Sequence, residues 1–181
     1  MALENAVTGR TWALDPTREA DWDALYAEML PRVFNYLRFQ VGNDAVAEDL
    51  ASLAFERAWR ARERYRRDLA GFGTWLFAIA RHAAIDHLRA RRQQVPLEAA
   101  AALPGGPDAS EAAERSADLR RLATLLARRS ERERELVALK YGAGWTNRAI
   151  AEAMRLSESN VGTILHRTIQ SLRAEWTEGE R

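Results

Sequence analysis

The sequence predicts an all-α protein made of two small helical domains, an N-terminal helical bundle and a C-terminal helix-turn-helix domain, joined by a flexible acidic linker. Apolar residues recur every three or four positions through most of the 181 residues, which is the spacing of amphipathic helices. No segment alternates apolar and polar residues as a strand would. A stretch rich in proline and glycine, residues 93–110, interrupts the helical pattern and divides the chain.

The N-terminal half is predicted to form three helices. One apolar stripe runs from Trp22 to Val41. Pro31 lies inside this stripe and should kink or split the helix, because proline lacks a backbone donor and clashes with the preceding turn. A second helix is expected over residues 45–65, after a Gly-Asn-Asp break. A third should begin near Phe72 and end in a run of arginines.

The C-terminal half carries its own helix signals. Ser130 and Glu133 form the pattern of a capping box, in which each side chain bonds a free backbone N–H of the other residue. Thr146 and Ser157 are predicted caps of two further helices. The expected boundaries are residues 1–19 for an N-terminal extension, 20–92 for the first domain, 93–116 for the linker, 117–176 for the second domain and 177–181 for a tail.

Charge is distributed unevenly although the net charge is only +1. Residues 56–92 carry +6 and residues 119–181 carry +4, whereas residues 1–55 carry −5 and residues 93–118 carry −4. Two basic blocks separated by an acidic one predict two surfaces that face polyanions. The ordinary charge of solvated helices is the alternative explanation.

The composition excludes several kinds of site. Cysteine is absent, which rules out disulfides, cysteine-ligated zinc and a thiol nucleophile, and three histidines leave little for metal or acid–base chemistry. Uncharged runs are far shorter than the roughly 20 apolar residues of a membrane span, and the N-terminus lacks the pattern of a secretory signal. We therefore expect a cytoplasmic protein with no membrane span, no cofactor and no metal.

The strongest motif is TNRAIAEAMRLSESNVGTIL, residues 146–165, which is typical of a helix-turn-helix. Ala151 is small where two helices would cross closely, and Leu156 would fill the corner between them. This geometry directs the start of the second helix into a DNA major groove. The side chains expected to face DNA are Ser157, Glu158, Ser159, Asn160 and Thr163. A plain helical hairpin is the alternative.

A second segment, residues 65–92, interleaves aromatic residues with arginines. Rings for stacking and cations for the backbone are what unstacked single-stranded DNA requires. Trp75 and Phe77 are each individually better explained as core residues, whereas Phe72 lies beside loop glycines and is the ring expected to be exposed. His82 and His87 are five residues apart, so they do not share a helix face as a metal-binding pair would.

Taken in order, these segments resemble the extracytoplasmic-function (ECF) sigma factors of bacterial RNA polymerase. LYAEMLPRVFNYLRF, AEDLASLAFERAW and GTWLFAIARHAAIDHLRARR are similar to the N-terminal domain of that family. SERERELVALKY, followed by the helix-turn-helix, is similar to its C-terminal domain. The resemblance covers about residues 20–92 and 117–175, and it is specific because several motifs occur in the right order.

The resemblance implies a role for each segment. It implies a polymerase-binding helix with Asp49, Leu50, Phe55 and Trp59. It implies a minus-ten reader that opens the duplex and captures a flipped base, with Arg66, Arg67, Phe72, Trp75, His82, Arg89 and Arg92. It implies a minus-thirty-five reader with Arg148, Ser157, Glu158, Ser159, Asn160, Thr163, His166 and Arg167. Core burial is nearly as good an explanation of Phe55 and Trp59.

The chain departs from the family pattern at several of these positions. Ser52 and Leu53 replace glutamine and an acidic residue of the polymerase-binding helix, and His82 replaces an asparagine of the minus-ten helix. Arg155 occupies a turn position that often holds glycine, so it is expected to need a positive φ. Gly162 and Ile164 occupy common basic positions, which shifts the expected minus-thirty-five contacts toward Asn160, Thr163, His166 and Arg167.

The sequence therefore predicts a non-enzymatic sigma factor whose partners are core RNA polymerase, promoter DNA in duplex and single-stranded form and, as a candidate, an anti-sigma factor. One alternative is a stand-alone helix-turn-helix regulator, which leaves the 65–92 segment unexplained. Another is a helical nuclease or phosphohydrolase, which would need clustered carboxylates or histidines to hold metal.

Overall fold

The computed structural model describes residues 22–66, 68–94 and 111–178. The N-terminal extension, residues 95–110 of the linker and Arg67 lie outside the described residues. Within them the chain is helical without a strand, which confirms the all-α prediction. The helices are α1 (Trp22–Val41), α2 (Asp44–Arg60), α3 (Phe72–Gln94), α4 (Glu111–Ala127), α5 (Glu131–Val137), α6 (Asn147–Met154) and α7 (Glu158–Glu178), with a 3₁₀ turn at Arg62–Arg64 and a π-helical turn at Ala138–Gly142.

Helices α1, α2 and α3 pack together around apolar side chains that recur along one face of each helix. Asn43 caps α2, its side-chain oxygen accepting a hydrogen bond from the Val46 N–H at 2.9 Å. Pro31 was expected to kink or split the first helix, and of these two the split does not occur, because α1 is continuous from Trp22 to Val41. Buried residues on both sides of Pro31, among them Met29 and Val33, hold the two turns against the same core.

Helices α4 to α7 form the C-terminal half. The capping box at Ser130 is present: the Ser130 N–H donates to Glu133 at 2.9 Å, and the Ser130 hydroxyl accepts from the Glu133 N–H at 3.3 Å. Hydrogen bonds from the Ser130 side chain and backbone are the main reason why the pKa of the Glu133 carboxyl is lowered. Helix α5 then widens into the π-helical turn, which ends before Gly144, whose φ is +71°.

The two halves share one hydrophobic core. The π-helical turn and α5 pack against α1, and Phe77 of α3 meets Trp145 at a centroid distance of 5.3 Å with the rings nearly perpendicular. Leu136 and Val137 of α5 are as fully enclosed as Val33 and Leu37 of α1. The helical bundle and the helix-turn-helix half are therefore in direct contact in this structure.

Candidate nucleic-acid interface

The loop before α3 is held by a cluster of aromatic rings. Phe72 packs against Trp22, Tyr65 and Trp75 at centroid distances of 5.4, 5.8 and 5.7 Å. The Tyr65 hydroxyl donates to the Ala70 carbonyl at 3.1 Å, which closes the loop. Phe72 is only 9% exposed, so the expectation that it is the exposed ring is wrong. Its neighbour Trp22 is far away in sequence, and local reasoning from loop glycines did not foresee that it covers the ring.

A second feature of this loop is a short-range ion pair. Arg66 donates two hydrogen bonds to the Asp68 carboxylate, at 2.8 and 2.7 Å, and both side chains are well exposed. The Arg66 guanidinium lowers the pKa of the Asp68 carboxyl. Because such an exposed pair is weak, Arg66 can exchange its carboxylate partner for a phosphate oxygen.

Three predicted residues of α3 lie seven positions apart. Trp75, His82 and Arg89 are separated by two helical turns each, so they line one face of the helix at intervals of about 10 Å. Trp75 is half-buried, while His82 and Arg89 are exposed. Arg92 belongs to the same helix, but its side chain lies outside the described part. This face offers a ring, an imidazole and a guanidinium in a row.

The four residues predicted to bind polymerase divide into two groups. Leu50 and Phe55 are buried in the core between α2 and its neighbours, whereas Asp49 is exposed and Trp59 is 49% exposed. Tyr26 packs on Phe55 at 4.6 Å and is itself largely exposed.

Two neighbours fix the Trp59 ring. The Trp22 ring packs edge-on against it at 5.2 Å, and the Arg62 guanidinium lies over it at 4.3 Å. The exposed aromatic surface is therefore built by Tyr26 and Trp59, with Phe55 beneath it. Sequence reasoning missed Tyr26, although its spacing from Trp22 places both residues on one face of α1.

The helix-turn-helix is formed by α6, the turn Arg155–Ser157 and α7. Ile150, Ala151, Val161 and Leu165 are buried at the crossing of the two helices. Arg155 ends α6 in the left-handed conformation, φ 54° and ψ 47°, as the turn position required. The Leu156 N–H donates to the Ala151 carbonyl at 2.9 Å, which closes the corner. The predicted core and the predicted backbone conformation of this motif are both present.

All predicted side chains of the helix-turn-helix face solvent. The exposed residues are Arg148, Ser157, Glu158, Ser159, Asn160, Thr163, His166 and Arg167. Two of the hydroxyls already have backbone partners: Ser157 accepts from the Asn160 N–H at 3.1 Å, and Thr163 donates to the Ser159 carbonyl at 3.0 Å. Arg148 approaches Glu152 at 3.4 Å. Asn160, His166 and Arg167 are thus the candidates for contacts with bases or phosphates.

Among the residues that the structure describes, no group of three or more His, Asp or Glu side chains could hold a metal ion. No helix of the described chain is long and apolar enough to cross a membrane.

Comparison with known proteins identifies both halves. Sigma-70 region 2 matches residues 25–94, and Sigma-70 region 4 matches residues 125–174. The ECF RNA polymerase sigma factor SigL of Mycobacterium tuberculosis is 31% identical over 83% of this chain and 85% of its own length. The RNA polymerase sigma factor CarQ of Myxococcus xanthus is 32% identical over 84% of this chain and 87% of its own length.

One relative is longer than this chain. The ECF RNA polymerase sigma factor BldN of Streptomyces coelicolor is 30% identical over 85% of this chain, and the match spans 60% of BldN.

Two solved structures share the fold. CnrH, in complex with the cytosolic domain of CnrY, has a TM-score of 0.64 at 21% identity over 87% of this chain and 88% of CnrH. The sigma factor RpoE of Bartonella quintana, in complex with the anti-sigma factor NepR, has a TM-score of 0.63 at 19% identity over 89% of this chain and 99% of RpoE. The chain therefore belongs to the ECF family of RNA polymerase sigma factors, which act in transcription initiation.

Proposed function

We propose that this sigma factor binds core RNA polymerase and recognises two promoter elements with two separate surfaces, one in each half of the chain. Residues 20–92 form the domain for polymerase and the minus-ten element, and residues 117–176 form the domain for the minus-thirty-five element. The observation that carries the proposal is that each matched region contains its own exposed face with DNA-binding chemistry.

The minus-ten surface consists of Arg66, Arg67 and the α3 face with Trp75, His82, Arg89 and Arg92. Opening a duplex costs a few kcal/mol for each flipped base, and stacking plus backbone contacts must offset this cost. Trp75 is the accessible ring for stacking, since Phe72 is enclosed. Phe72 serves the site by holding the loop, and His82 and Arg89 contact the separated strand.

The minus-thirty-five surface is the N-terminal part of α7 with Arg148 of α6. Its free backbone N–H groups and positive helix end favour a phosphate. Ser157, Glu158 and Ser159 stand at this helix start. Asn160 faces base edges, where asparagine can pair with adenine in two hydrogen bonds, and Thr163, whose hydroxyl is bonded to the Ser159 carbonyl, offers its methyl group. His166 and Arg167, one turn farther along the helix, contact the sugar–phosphate backbone.

The polymerase-binding surface is centred on α2. Asp49 and Trp59 are its exposed members, and Leu50 and Phe55 support them from the core. Tyr26 extends this surface from α1. Exposed aromatic side chains beside a carboxylate are typical of the centre and rim of a protein interface.

The chain has no catalytic activity of its own in this proposal, since the nucleotide chemistry belongs to the polymerase. The protein acts in the cytoplasm because its template and the polymerase are there. An anti-sigma factor is a further partner, which is supported by the complexes that the CnrH and RpoE structures contain. No cofactor takes part.

Run-off transcription tests the function directly. Core polymerase with this protein should produce a discrete transcript from a promoter of the same genome, and core alone should not. The double variant Asp49→Arg with Trp59→Ala is expected to abolish co-purification with core and the transcript together. If the wild-type protein fails to bind core but binds a duplex site specifically by itself, it is a stand-alone regulator and the proposal is wrong.

A further inference from the structure

One leucine differs from the apolar residues around it. Leu69, in the loop before α3, is 68% exposed, more than any other large hydrophobic side chain that the structure describes. Its neighbours in the chain, Tyr65, Phe72 and Trp75, all lie in the core or pack against it, and Leu69 does not. Single exposed leucines are common on protein surfaces, so the role of this one depends on how the loop presents it.

Hydrogen bonds hold the backbone on both sides of Leu69. The Arg66 carbonyl accepts from the Leu69 N–H at 3.0 Å and from the Ala70 N–H at 3.3 Å, which curls the chain into a tight turn. The Tyr65 hydroxyl then holds the Ala70 carbonyl at 3.1 Å. Because the backbone is already fixed, the loop loses little conformational freedom when its tip binds another molecule.

The core beneath the loop is already filled. Phe72 occupies the enclosed position, with the rings of Trp22, Tyr65 and Trp75 at centroid distances of 5.4, 5.8 and 5.7 Å. Tyr65 and Trp75 also contact each other at 5.0 Å. Leu69 therefore extends outward from an aromatic base, and its side chain can be buried only against another molecule.

The charges around Leu69 favour DNA as that molecule. Arg66 belongs to the same turn, and its ion pair with Asp68 is weak because both side chains are exposed, so the guanidinium is available to a phosphate. His82 and Arg89 continue along α3 as exposed groups. An apolar side chain beside cationic ones is the combination that proteins insert between the base steps of a duplex.

We propose that Leu69 is a wedge, which enters a base step of the minus-ten element and fills the space left by the base that leaves the stack. The proposal rests on the proposed function. Leucine is among the apolar side chains that unstack base steps and kink the duplex. It has no ring on which a freed base could stack, and Trp75 supplies that ring. Leu69 thus acts on the closed duplex, and Trp75 acts on the opened strand.

Two templates separate a wedge from a contact with the opened strand. One is a duplex promoter, and the other is the same promoter with mismatches that keep the minus-ten region open. On the duplex, Leu69→Ala should slow open-complex formation about tenfold, because alanine offers little apolar surface to a base step. On the mismatched template it should match the parent. Permanganate reactivity over time and run-off transcription measure the two activities.

Two further variants test the chemistry of the side chain. Leu69→Met keeps a long apolar side chain and should open the duplex nearly as fast as the parent. Leu69→Asn keeps the approximate size but is polar, and it should be as slow as Leu69→Ala. Because position 69 is exposed, none of the three variants should change the melting temperature or co-purification with core. If Leu69→Met is as slow as Leu69→Ala, apolar contact is not what opens the duplex, and the proposal is wrong.

Crosslinking identifies what Leu69 contacts. The chain has no cysteine, so Leu69→Cys provides a single attachment point for a short photoreactive group. In the complex with core polymerase and the duplex promoter, this group should react with the minus-ten DNA. Reaction with a polymerase subunit alone would make Leu69 a protein contact and overturn the proposal.

The two templates also separate failure of the wedge from failure of the proposed function. If Leu69→Ala is equally slow on both templates, Leu69 contacts the strand only after opening. If it is normal on both, Leu69 takes no part in opening, and either result overturns the wedge alone. A parent that directs no transcription above core polymerase from either template would overturn the proposed function, and the wedge with it.

Discussion

The two proposed DNA-reading surfaces of this sigma factor are built in different ways. In the helix-turn-helix, buried residues and DNA-facing residues are separate sets, since Ile150 and Val161 form the crossing and Asn160 and Arg167 face solvent. In the loop before α3, aromatic residues that resemble DNA contacts are themselves the core, with Phe72 enclosed by rings from three sides. A substitution in the first surface can remove contacts alone, whereas one in the second also removes structure.

The largest effect is expected for Phe72→Ala. Removing a buried aromatic ring costs about 3–5 kcal/mol of unfolding free energy. Loss of promoter opening would then accompany loss of stability. His82→Ala, on the same helix and exposed, should change stability by less than about 0.5 kcal/mol and still impair opening while sparing core binding. Chemical denaturation and a permanganate footprint of the melted region measure the two quantities. If Phe72→Ala and His82→Ala had the same unfolding free energy, the enclosed ring of Phe72 would contribute no more to stability than the exposed His82 side chain, which contradicts the proposed difference.

A smaller effect is expected for charge reversal at Arg167. Arg167→Glu should weaken binding to upstream duplex DNA about tenfold and make it less dependent on salt, because fewer counterions are released. Unfolding free energy should not change, since the side chain is exposed. Arg173→Glu, exposed on the same helix and farther from the turn, is the control. Titrations at several salt concentrations give the slope, and an unchanged slope would place Arg167 away from the phosphates.

The capping box that orients α5 predicts a pH-dependent stability. Ser130→Ala should cost about 1 kcal/mol at pH 7. The Ser130 hydrogen bonds lower the pKa of the Glu133 carboxyl, so the part of the stabilisation that depends on the Glu133 charge is complete above the unfolded-state pKa and disappears as pH falls through the folded-state pKa. The difference between parent and variant in denaturation curves should therefore shrink in acid to the part contributed by the bond from the Glu133 backbone N–H to the Ser130 hydroxyl. A difference of the same size at every pH would show that the Glu133 charge takes no part in the cap.

The smallest effect is expected at the turn of the helix-turn-helix. Arg155 has φ 54°, which costs about 1 kcal/mol for a residue with a Cβ and nothing for glycine. Arg155→Gly should raise the free energy of unfolding by roughly 0.5–1 kcal/mol, while Arg155→Ala should leave it nearly unchanged. Thermal unfolding distinguishes the two. Equal melting temperatures for glycine and alanine would show that the left-handed conformation is not a source of strain.

Sequence reasoning succeeded where the signal is local. The caps at Ser130, Thr146 and Ser157 each act within one helical turn, and all three are present in the structure. The left-handed turn at Arg155 was expected because the family often has glycine at this position. The expectation for Phe72 failed because a distant residue decides the outcome, since Trp22 covers its ring. Core packing on both sides of Pro31 likewise keeps α1 from being split there.

The sequence by itself determined that this chain is helical and carries a helix-turn-helix, because helix periodicity, caps and the helix-turn-helix spacing are encoded over a few residues at a time. The sigma-factor family came from the resemblance of its motifs, taken in order, to those of ECF sigma factors. Only the tertiary structure decided which aromatic rings remain accessible and how the two halves meet. In the segment SERERELVALKY, nothing local distinguishes Glu135 from the other charged residues. Its burial depends on contact with Tyr36, which lies 99 positions away in the chain. Contact between residues so distant in the chain results from the packing of whole helices against one another, which no local sequence pattern specifies.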